Sequence, residues 1–158
     1  MFRMTLLLAG LVLGGAASQQ TAQPGEKQAD TMLIEIQSEK SLAQLREEMP
    51  KAAQAHKFGV LAVHDLGAKM KEKGLEFAGE VLVFEVCNPA KAKAVLEKAP
   101  QAASLLPCRI SAYRGPDGKT ILSTVKPTRL VAGFGVAGLE TLAAEVEKDL
   151  AAIMNEAK

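Results

Sequence analysis

Apolar and polar positions alternate where the ordered part of the chain begins. Met32, Ile34 and Ile36 alternate with Leu33, Glu35 and Gln37, which predicts a strand. The period then changes. Leu42, Leu45 and Met49 recur at helical spacing, with Ser38 as one N-cap and Ser41 with Gln44 as a competing capping box. Pro50 conflicts with a straight helix, so a kink or break is expected there. Phe58 to Asp65 reads as a second strand, and Ala68 to Lys73 as a short helical turn stopped by Gly74. Glu80 to Cys87, rich in Val and Phe, predicts a third strand.

Asn88-Pro89 is the clearest local signal. Asn suits an N-cap and Pro the first helical position, so a helix over Ala90 to Lys98 is expected, ending before Pro100. Leu106 to Arg114 and Thr120 to Val125 read as a hairpin around Gly115-Pro116-Asp117-Gly118. Pro127 to Gly135 reads as irregular or a short edge segment. A last helix, about Gly138 to Asn155, carries the stripe Leu139, Leu142, Val146, Leu150 and Ile153. The order β-α-β-β-α-β-β-α predicts an α+β fold. Its mixed, largely antiparallel sheet has five to six strands with helices on one face, ferredoxin-like or TBP-like in character.

The chain before Thr31 changes the picture of where this domain works. Arg3, the apolar run Leu6 to Leu13 and the small residues Gly14 to Ser18 read as a secretory signal peptide, residues 1–18. The run is too short for a bilayer span, which needs about 20 residues. Residues 19–30 are polar and aperiodic and read as a disordered linker, leaving 31–158 as a single domain. The expected location is exported, periplasmic or extracellular, with no membrane association once the signal is removed. Of the 19 Lys and Arg side chains only Arg3 lies in the signal, so the rest balance the 18 acidic ones. A neutral chain with few aromatics gives no reason to expect a nucleic-acid partner.

Candidate chemistry is sparse. Cys87 and Cys108 are the two cysteines. In an oxidising compartment they read as a structural disulfide, as inert buried thiols, or as a redox or metal pair. If strands three and four were parallel, the two would lie at opposite ends of the sheet, too far apart to bridge. An antiparallel pair would bring them close. Cys87 also precedes a helix N-terminus, which can lower a thiol pKa and would make it a reactive thiol. His56 and His64 have no ligand spacing to either cysteine, and no CxxC or paired-His motif appears, so neither a metal nor a cofactor is expected. Gly133-Phe-Gly-Val-Ala-Gly138 has GxGxxG spacing without a preceding βαβ context and reads as loop. The charge runs Arg46-Glu47-Glu48 and Lys69 to Lys73 read as solvated faces.

Three stretches together carry a resemblance. Phe58-Gly59-Val60, Cys87-Asn88-Pro89-Ala90 and Leu105-Leu106-Pro107-Cys108-Arg109, with the Asp117-Gly118 hairpin and closing helix, resemble the domain-of-unknown-function 302 family over residues 32 to 155. The resemblance implies a small α+β domain, expected to be dimeric, and no established activity, substrate or cofactor. The signal peptide and His64 depart from the family pattern.

The third strand points to function. If Leu82, Phe84 and Val86 face the helices, then Val81, Val83 and Glu85 face outward. Valines on an open face call for a cover. With His64 and Arg109 they form the expected pocket or interface. The leading expectation is a homodimeric module binding a small ligand or protein partner. The alternative is a thiol-based redox or metal-handling protein using Cys87 and Cys108. No nucleophile–base pair is visible, which puts an enzyme third.

Overall fold

The structure is a computed structural model and describes residues 31–158. The expected signal peptide and linker therefore lie outside the described residues. Five strands form one sheet: β1 (Leu33–Ser38), β2 (Gly59–Asp65), β3 (Val81–Cys87), β4 (Cys108–Arg114) and β5 (Thr120–Val125). Their spatial order is β1-β5-β4-β3-β2, and every neighbouring pair is antiparallel. The α+β expectation holds. The sheet is purely antiparallel, because β1 and β2 occupy opposite edges and no crossover makes neighbours of parallel strands.

Alternation along each strand divides the sheet into two faces. Leu82, Phe84, Val86, Ile110, Ala112 and Leu122 point to one face and are buried. Helices α1 (Leu42–Ala55) and α5 (Glu140–Ala157) pack on that face. They contribute Leu45, Met49, Leu150, Ile153 and Met154 to the same core. Full burial of each such side chain stabilises by about 1.5–3 kcal/mol. A second apolar cluster lies beyond α5. It joins α3 (Pro89–Lys98), a 3-10 turn (Pro100–Leu105), α4 (Pro127–Phe134) and α5 through Ala99, Ala102, Val131, Leu139 and Ala143.

The local chemistry explains the element starts. Ser41, not Ser38, caps α1. The Gln44 amide donates to the Ser41 hydroxyl at 3.2 Å, and the Ser41 amide donates to Gln44 Oε1 at 2.8 Å. Ser38 instead ends β1, buried, its hydroxyl accepting from the Lys40 amide. Helix α1 runs unbroken through Pro50, contrary to the expected kink or break. Pro50 is exposed, so the carbonyl that loses its helical donor there lies on the wet side of the helix. The polar turn after β2 is a seven-residue helix, α2 (Leu66–Glu72), capped by Asp65.

Pro127 to Gly135, expected to be irregular, holds helix α4. Pro127 opens it, and Gly135 closes it with φ 67°, a left-handed value that glycine accepts readily. No side chain of its own caps it. Glu147 on α5 accepts from the Thr128 amide at 3.1 Å, so the cap comes from the helix against which α4 packs.

Candidate functional site

The residues singled out on the sheet come together on its outer face. Glu85 pairs with Arg109 across β3 and β4, and His64 pairs with Val83 across β2 and β3. Val81 and Val83 share that face and are half-buried. Lys69 donates to His64 Nδ1 at 3.2 Å, which leaves the Nε2–H to donate to Glu85 Oε1 at 3.1 Å. Tyr113 donates to Glu35 at 2.9 Å farther along the same face. Arg109 is exposed. Among the described residues, α1 and α5 pack on the other face, and α2 reaches this one only at its edge, through Lys69 on His64.

The cysteines separate. Cys108 lies opposite Val86, on the helix-covered face. Cys87 follows Val86 by one residue and so projects to the outer face, opposite Gly59. Antiparallel pairing brings the two backbones close, yet the side chains diverge across the sheet, and both thiols are free. The expected thiolate character of Cys87 is reversed: burial pushes its thiol up. Asn88 takes the N-cap, its side chain accepting from the Lys91 amide, so that orphan amide of α3 serves Asn88 and not the sulfur. Burial, with the neighbouring Cys87 adding to it, pushes the Cys108 thiol up to about 11. Neither thiol has the electropositive setting that redox work needs. Among the described residues no group of three or more His, Cys, Asp or Glu converges in a way that could hold a metal.

Cys108 instead leads to a feature that strand alternation does not show. It stands in the wall of a cavity of about 280 Å³ between the two apolar clusters. Leu106 and Pro107 enter from the segment before β4, Val95 from α3, and Leu130 and Val131 from α4. Leu139, Leu142, Ala143 and Val146 line it at and along α5. Thr124 and Val125 close it from β5. Lys91 ties α3 to α5 through Glu145 at 3.1 Å and Asp149 at 2.9 Å, which braces two of these walls. A larger groove of about 710 Å³ lies under residues 75–82, but charged Arg46, Asp65, Lys71 and Glu80 line it. Arg46 and Asp65 pair at 3.2 Å there.

The comparisons agree with this architecture. A family model described as "Domain of unknown function DUF302" matches residues 34–157. The chain belongs to the DUF302 family. A crystal structure described as that of the uncharacterized conserved protein DUF302 from Bacillus stearothermophilus is similar at 29% identity and a TM-score of 0.78. The match covers 82% of this chain and all of that one. No curated protein matches. The CNPA corner and the LLPC strand entry both fall within the matched residues. Those two stretches supply one end of β3 and the start of β4, and the second also supplies cavity wall.

Of the residues expected at a pocket or interface, His64, Glu85, Val81, Val83 and Arg109 do share one face. Of these only Arg109 also borders the cavity, together with the thiol candidate Cys108. Leu142 and Val146 were visible in the sequence as part of an amphipathic stripe. Leu130 and Val131 were hidden because α4 was not expected to be a helix.

Proposed function

We propose that this DUF302 domain is a binding module for a small, largely apolar molecule held in the cavity between β4, β5, α3, α4 and α5. The observation that carries this reading is the cavity itself: about 280 Å³, apolar on nearly every wall. Concave sites of this character, mostly apolar with few polar groups, are the usual form of a small-ligand pocket. The thiol alternative finds no support in the geometry, since Cys87 and Cys108 point to opposite faces and burial pushes both thiols up.

Fluorescence titration with 1-aminonaphthalene tests the reading. Saturable 1:1 binding is expected, and Leu142→Trp, which fills the cavity from a half-buried position, should weaken it at least tenfold while thermal unfolding stays cooperative. Equal binding by the filled variant, or no saturable binding by the wild type, would refute it.

A second reading concerns assembly. Val81, Val83 and Ile121 lie half-buried on the outer sheet face, opposite the one on which α1 and α5 of the described residues pack. We propose that a second copy covers it, giving a homodimer with the His64–Glu85 pair at the interface. Light scattering at micromolar concentration should give twice the chain mass, and Val83→Asp should halve it. A monomeric wild type would exclude the dimer. Export is part of the same proposal, on the strength of Arg3 and the Leu6 to Leu13 run.

A further inference from the structure

The cavity's polar atoms are few, and their state narrows what can enter. Among the residues that line it, Ser104, Cys108, Arg109 and Thr124 carry polar or titratable side chains. The Ser104 hydroxyl donates to the Gln101 carbonyl at 2.8 Å. The Thr124 hydroxyl donates to the Arg109 carbonyl at 2.7 Å. Both protons are therefore spent inside the protein. The Cys108 thiol is protonated at neutral pH and is a weak donor at most. Arg109 is the one ionised residue of the wall. It lies opposite Glu85, so alternation starts its side chain toward the outer face, and the residue is exposed. No Lys, His, Asp or Glu lines the cavity. Among the described residues no buried side-chain polar atom lacks a partner.

A charged head group would lose its hydration on entry and meet nothing to replace it. A hydroxylated ligand such as a sugar would fare little better, because each buried hydroxyl needs a partner. Resting on the binding reading above, we infer that the site selects an uncharged hydrocarbon-like molecule, aromatic or aliphatic, with no anionic or cationic head inside the protein. Size follows from volume. A dry apolar cavity of about 150 Å³ accepts benzene. The present one, at about 280 Å³, is nearly twice that and suits a fused two-ring or about ten-carbon skeleton.

Competition against bound 1-aminonaphthalene, using one ring skeleton in three charge states, tests the class. Naphthalene should displace the probe at a concentration at least tenfold below that needed by 2-naphthoate or 2-naphthylmethylammonium. The two readings fail separately. If 1-aminonaphthalene finds no saturable site, the binding module itself is wrong. If it binds and either ion competes as well as naphthalene, the site has a polar recognition group and the inferred class is overturned.

Discussion

Cys108 shows how one side chain's surroundings set its chemistry. It sits between the sheet core and the cavity, so its thiolate would form in an apolar wall, and burial pushes its pKa from 9.0 to about 11. The linkage follows from that direction. In the unfolded chain Cys108 loses its proton near pH 9, whereas in the folded chain it keeps the proton until about pH 11. Across that window the folded state binds more protons, so stability falls as pH rises. The full effect, reached above pH 11, is on the order of 3 kcal/mol. Urea unfolding of wild type and Cys108→Ala at pH 8 and pH 10.5 should show a steeper alkaline loss in the wild type. Parallel losses in the two proteins would show that Cys108 does not carry the effect. Cys87 contributes in the same direction, from burial alone.

At the scale of elements, capping decides where helices begin, and one cap can be removed cleanly. Ser41→Ala removes the hydroxyl that accepts from the Gln44 amide and should cost about 1 kcal/mol in chemical denaturation. Ser38→Ala tests the competing cap and should leave the start of α1 unchanged, since Ser38 belongs to β1. A larger helical loss from Ser38→Ala than from Ser41→Ala would reverse the assignment. This pair also shows what the chain's own pattern could reveal. Strands with clean alternation, such as Val81 to Cys87, and a helix with Asn-Pro at its start are local facts, and they appear in the fold nearly where the pattern puts them. Helix α4 is different. Pro127 and Gly135 marked its ends, but eight residues form a weak signal alone, and its cap comes from Glu147 on another helix. The cavity was hidden for the same reason. Its walls come from stretches between Val95 and Val146 that no period links, and one wall is α4 itself.

For the whole molecule, sheet order is the organising fact. Placing β1 and β2 at the edges puts β4 at the centre, between β5 and β3. The start of β4 then meets the cavity on one face, while its Arg109 meets Glu85 on the other. One short stretch, Leu106 to Arg109, thus borders the proposed ligand site and the proposed dimer face at once. Cavity and interface are separated by one layer of sheet, and they can be tested apart. Amide and methyl chemical-shift mapping with 1-aminonaphthalene is the most direct test of where a ligand sits. The account predicts saturating shifts at Val95, Val131, Leu142 and Val146, with Val81 and Val83 unmoved. Shifts centred on Val81 and Val83, or none at the four cavity residues up to the solubility limit of the probe, would contradict it.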